Sequence, residues 1–96
     1  MASNESAKFC LGQTVATPAA LNVLARTAVS PVVLLDRHLV LDQGDLCDDD
    51  HQANVEAVAT GGRVFSSFVI DGAETKIWVI TEADRSCTTI LTPDDY

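Results

Sequence analysis

The segment Thr81-Glu82-Ala83-Asp84-Arg85-Ser86 gathers two carboxylates, a guanidinium and hydroxyls in one short stretch. Such groups can act as a base, an electrophile and a nucleophile. No histidine lies near them in sequence, and Arg85 paired with Glu82 or Asp84 is equally an ion pair that orders a loop. Arg37-His38 is a second candidate, because an imidazole serves as a base or a ligand near neutral pH. At a helix C-terminus both side chains are also favourable for their charge alone. Arg37 has Asp45 as an alternative partner. The expected binding set is therefore Arg37, His38, Asp45, Glu82, Asp84 and Arg85, with no catalytic residue assigned.

Metal chemistry is not expected. Cys47 and His51 stand four apart, so one helix face could bring both to an ion. Structural zinc takes four protein ligands, and no second Cys/His pair stands nearby. The acidic run from Asp42 to Asp50 lacks the spaced Asp-x-Asp-x-Asp-Gly ligands of a calcium loop. It reads more simply as a helix start, where carboxylates face the positive end of the helix dipole. A rival reading has it imitate phosphates and bind a basic host-defence nuclease. The chain has no Gly-rich phosphate loop, no Gly-x-Ser-x-Gly elbow and no zinc-protease helix. No cofactor is expected.

Composition narrows the partners. The 96 residues suit one domain and one modest core. A hydrophobic fraction of 47% is too high for a disordered chain, and aromatics at 5% leave the core to aliphatic side chains. A net charge of −8 disfavours direct binding to nucleic acid and to anionic membranes, while it permits a basic protein partner. The three cysteines are odd in number and form no Cys-x-x-Cys pair, which fits a reducing cytoplasm. The first residues lack the apolar region of a signal peptide, and no apolar run reaches membrane-spanning length. Residues 1–8 are expected to be a flexible leader, and residues 9–96 a single domain.

Local signals then place the elements. Phe9 to Ala16 is suited to an extended edge strand or a cover over the core. Thr17-Pro18 and Ser30-Pro31 are helix starts: a hydroxyl N-cap followed by a proline whose missing N–H costs nothing at the first helical position. Leu21, Leu24, Ala25 and Ala28 predict the apolar face of the first helix. The second helix runs through Val33 and Leu34 toward Arg37 and His38. A third begins near Cys47 with Ala53, Ala57 and Val58 as its stripe, and ends at Gly61-Gly62. From Arg63 the apolar period becomes two. Val64, Ser66, Phe68 and Ile70 share a face, and Asp71-Gly72 with Ala73-Glu74 forms a hairpin loop. Lys76 to Thr81 is a second strand, apolar on both faces and hence central, with Trp78 in its core. Cys87 to Leu91 is a third. The expected class is α+β: two or three short helices packed on a three-stranded antiparallel meander in two layers.

Several of these segments together resemble a family of short, uncharacterised bacterial proteins of plasmids, prophages and other mobile elements. The resemblance is carried by Leu35-Asp36-Arg37-His38, Gly44-Asp45-Leu46, Asp50, Asn54, Gly62-Arg63 and Ser66. It is most specific from Ile77-Trp78-Val79-Ile80-Thr81 through Glu82-Ala83-Asp84-Arg85-Ser86 and Thr88-Thr89 to Pro93-Asp94-Asp95-Tyr96. The family's Gly-Asp-Trp-Gly-Asp-Leu segment is altered here, where Leu41-Asp42-Gln43-Gly44 removes its aromatic. Some relatives carry a label from type I restriction modification subunits. A methyltransferase needs a much longer cofactor domain and an Asn-Pro-Pro-aromatic motif, which this sequence lacks. The resemblance implies an accessory protein of a mobile element. The expected partner is a protein or a second copy of the chain, as in a homodimer, with no nucleic acid and no membrane. The alternatives are a small ligand-binding or catalytic domain on the Glu82/Asp84/Arg85 loop, and an acidic inhibitor of a defence nuclease.

Overall fold

The computed structural model describes residues 8–42, 48–70 and 75–96. The chain runs β1 (Gln13–Ala16), α1 (Pro18–Thr27), α2 (Pro31–Leu39), α3 (Asp48–Thr60), β2 (Val64–Val69), β3 (Lys76–Thr81), β4 (Cys87–Leu91) and a 3-10 turn (Pro93–Asp95). The class is α+β, as the sequence implies. The sheet differs in one respect: it has four strands in the order β1-β4-β3-β2, not three. β2, β3 and β4 form the expected antiparallel meander, and β1 adds to β4 in parallel. Gly12 makes that addition possible. Its φ is +67°, and a Cβ there would land on the backbone of Arg85 and Ser86. The chain can therefore pass close enough for the Gln13 N–H to donate to the Ser86 carbonyl at 3.0 Å.

Both proline-led helices start as their sequences dictate. The Thr17 hydroxyl accepts the Ala20 N–H at 3.2 Å, and the Ser30 hydroxyl accepts the Val32 N–H at 3.2 Å. The apolar face of α1 is rotated from the expected one. Ala20, Val23 and Leu24 are buried, whereas Leu21 is 49% exposed. The docking of the helix, rather than its own periodicity, decides which of its many apolar residues go inside. α2 stops at Leu39, and Leu41 follows with a left-handed φ of 60°. The helix thus ends at Leu39, with Val40 as its cap. The core packs Ala20, Val23, Leu24 and Leu34 against Phe68, Ile70, Ile77, Val79 and Ile90 of the sheet.

The opposite sheet face carries a smaller cluster. Trp78 stands edge-on to Phe65 at 5.1 Å and to Tyr96 at 5.8 Å between ring centroids. Trp78 is half-buried there, outside the main core that the sequence suggested for it. The Asp95 carboxylate fixes the C-terminal turn. It accepts from the Thr92 N–H, the Thr92 hydroxyl and, at 2.6 Å, the Thr17 hydroxyl. Among the described residues no single helix is long and apolar enough to cross a membrane; α1 and α2 reach that length only together, with a bend of 106° between them.

At the start of the described chain the Lys8 N–H donates to the Leu39 carbonyl at 2.9 Å. Residues 1–7, the Gly44-Asp45-Leu46 segment, Cys47 and the Asp71 to Glu74 hairpin loop lie outside the described residues.

Candidate functional site

The candidate residues do not converge. Arg37 binds Asp42, with its Nε 3.1 Å from one carboxylate oxygen and a second nitrogen 3.3 Å from the other. Its guanidinium also lies over the Phe68 ring at 4.8 Å. Asp45, the alternative partner for Arg37, lies outside the described residues. Glu82 faces Arg63 at 3.8 Å. The Asp84 carboxylate accepts the Ser86 N–H at 3.0 Å, an Asx turn that shapes the loop. The Ser86 side chain and that N–H hold the Asp84 carboxyl below the usual carboxylate range. Glu82, Ala83, Asp84 and Ser86 line one open depression of about 360 Å³.

Arg85 turns away from it. One guanidinium nitrogen donates to the carbonyls of Gly62 (2.6 Å), Glu82 (3.1 Å) and Ala83 (3.3 Å), and the other to that of Ala57 (3.0 Å). Ala57 and Gly62 bracket the C-terminal end of α3, where a positive charge meets the negative end of the helix dipole. Arg85 is therefore a clasp between the β3–β4 loop and the end of α3. The ion pair expected with Glu82 or Asp84 is not what holds it. Its own left-handed φ of 61° is a strained conformation that these charge-assisted bonds offset.

His38 lies fully inside, at 0% exposure. Its Nδ1 is 2.6 Å from the Ser66 hydroxyl and its Nε2 is 2.9 Å from the Thr81 hydroxyl. Thr81 and Thr88, direct cross-strand partners, approach to 2.6 Å, and the Thr88 hydroxyl donates to the Leu11 carbonyl at 2.7 Å. The fixed end settles the two threonine protons and the proton on Nε2, and burial, which keeps the ring neutral, settles the last. Thr88 gives its proton to Leu11, so Thr81 must donate to Thr88. Thr81 then accepts from Nε2–H, and Nδ1 accepts from Ser66. His38 is thus the neutral Nε2–H tautomer. Burial lowers its pKa from 6.5 to about 4. The sequence reading of a charged imidazole favoured by a helix end is overturned: desolvation outweighs the dipole. The Phe9 ring closes the relay edge-on at 5.2 Å from the imidazole, and Arg85 lies over the same ring at 5.5 Å. Ser66, Thr81 and Thr88 left a signal in the sequence, as small hydroxyl residues at inward positions of three strands.

The two edges of the sheet differ. α3 lies along β2, and its Asn54 amide takes both outward groups of Phe65: the side-chain NH₂ donates to the Phe65 carbonyl at 2.6 Å and the amide oxygen accepts the Phe65 N–H at 3.0 Å. Asn54 and Ala57 are the buried residues of α3, while Ala53, expected in its apolar stripe, is exposed. At the other edge, the Gln13 and Thr17 N–H groups point to β4. By strand alternation Thr14 and Ala16 direct theirs outward, where no bond to another described residue forms. Beside this edge runs a groove of about 250 Å³ bounded by β1 and α2, including Val15, Ala16, Pro31, Val32 and Leu35.

Among the described residues no three His, Cys, Asp or Glu side chains come together to hold a metal ion; His51 is exposed on α3. In comparisons with known proteins, no family model, no curated protein and no solved structure matches this chain.

Proposed function

We propose that the chain is a non-enzymatic accessory protein of a bacterial mobile genetic element, acting in the cytoplasm through protein–protein contact or self-association. The mobile-element setting rests on the sequence resemblance. The observation that carries the mode of action is the β1 edge, open among the described residues, with outward backbone groups beside an uncharged apolar groove. Unpaired strand edges are templates for a further strand, and native proteins normally blunt them with charge, proline or a cover. β1 reads Gln-Thr-Val-Ala and has none of these within it. The rival loop reading draws no support from the geometry, because Arg85 is engaged with backbone carbonyls and His38 is sealed in the interior.

The test combines affinity capture from a bacterial host with sedimentation of the purified chain. The expected outcome is a reproducible partner or a self-associated species, lost in Val15→Lys and kept in Val69→Lys, a control 56% exposed on β2. Repeated captures without a partner, together with a monomer in solution, overturn the reading.

A further inference from the structure

We infer that the occupant of the open edge is a second copy of this chain, whose β1 pairs antiparallel with the first across a two-fold axis at Val15. The inference deepens the interaction reading above and rests on it.

The register argues for a copy of the same strand. With the axis at Val15, Thr14 of one copy lies opposite Ala16 of the other. These are the two residues whose N–H and carbonyl groups point outward. Opposed residues of a hydrogen-bonded antiparallel pair exchange both bonds. Each outward N–H at the edge therefore meets an outward carbonyl, and the seam is satisfied without remainder. Val15 falls at the non-hydrogen-bonded position, where side chains approach most closely and β-branched pairs pack well. It is 41% exposed in the single chain.

Charge argues the same way. Two copies of a chain with net charge −8 repel each other, so they can meet only where the surface is neutral. β1 and the groove lining carry no ionisable side chain. An axis perpendicular to the sheet also leaves both helical layers on one side. The exposed Val32 (59%) and Pro31 of one α2 then flank the seam opposite those of the other. The four-residue strand makes a narrow seam, so the association is concentration-dependent.

Sedimentation equilibrium over a wide concentration range is the primary measurement. The apparent mass is expected to rise to twice the monomer value, and to rise further toward it with added salt, because screening relieves like-charge repulsion. Val15→Lys places two ammonium groups face to face at the axis and is expected to hold the chain monomeric, with its circular dichroism and melting temperature unchanged. Val15→Cys, with Cys10, Cys47 and Cys87 changed to serine, is expected to oxidise to a covalent dimer. The Cα separation of such a pair lies within disulfide reach. A wild-type chain that stays monomeric at the highest concentration overturns the inference, as does a dimer that survives Val15→Lys. If the chain is monomeric but captures a protein in a Val15→Lys-sensitive way, this inference fails and the broader interaction reading stands. If neither occurs, both fail.

Discussion

At the β2 edge the outward N–H and carbonyl of Phe65 are both taken by the Asn54 amide; at the β1 edge the corresponding groups of Thr14 and Ala16 meet no described residue. The backbone chemistry is the same, and only its surroundings differ. α3 is built to cover an edge rather than to fill a core. Its buried residues are Asn54 and Ala57, and its C-terminal end is clasped by Arg85. An asparagine side chain presents the donor and acceptor that a neighbouring strand would present, so it ends the sheet at that point. Among the described residues β1 has no such substitute.

The largest effect should come from Gly12, which holds the open edge in place. Gly12→Ala meets both a left-handed φ and the backbone of Arg85 and Ser86, and should cost about 4 kcal/mol by urea unfolding. Gly61→Ala makes the matching test on the α3 side. Gly61 also has a positive φ, 92°, but a Cβ there meets nothing within 4 Å. That change should cost only about 1–2 kcal/mol. Equal losses at the two sites would break the contrast in how tightly each side is packed.

Acid should act next, through the relay that joins Ser66 of β2 to the Leu11 carbonyl just ahead of β1. The folded pKa of His38, about 4, lies below the unfolded 6.5, so the unfolded chain takes the proton first on acidification. Stability from this group is complete above pH 6.5 and is lost progressively as pH falls toward 4, by about 3 kcal/mol in all. Urea midpoints of the wild type and His38→Gln across that window should converge as pH falls. Parallel curves would show that His38 does not titrate with folding. Nitrogen chemical shifts of the imidazole at neutral pH should report the Nε2–H tautomer.

A smaller effect is expected at the closed edge itself. Asn54→Ala removes both hydrogen bonds to Phe65 and should cost about 2 kcal/mol. Amide exchange should accelerate at Phe65 and along β2 while β4 keeps its protection. Unchanged exchange at Phe65 would mean that Asn54 is not what closes β2.

Much of the fold was legible because its signals are short-range. Thr17-Pro18 and Ser30-Pro31 start helices by capping chemistry that involves only neighbouring residues, and the change of rhythm after Gly62 marks the meander. The candidate polar residues were legible as residue types but not as roles. Arg37, Glu82 and Asp84 each found a near neighbour in sequence or space, and Arg85 chose backbone carbonyls over the carboxylates beside it. A guanidinium has several donors, and the exposed carbonyls at the end of α3 are fixed by tertiary docking, which no local pattern records.

The sequence by itself determined where the helices begin, where pleated strands take over, and that Val64, Ser66, Phe68 and Ile70 share a face, because caps and periodicity depend on residues a few positions apart. Only the tertiary structure decided that β1 lies parallel to β4, that His38 is neutral in the interior, and that Asn54 caps Phe65 on the β2 edge while Thr14 and Ala16 meet no described residue. Those outcomes depend on which distant groups meet and on how much water is excluded where they meet. Neither is a property of any stretch of chain read alone.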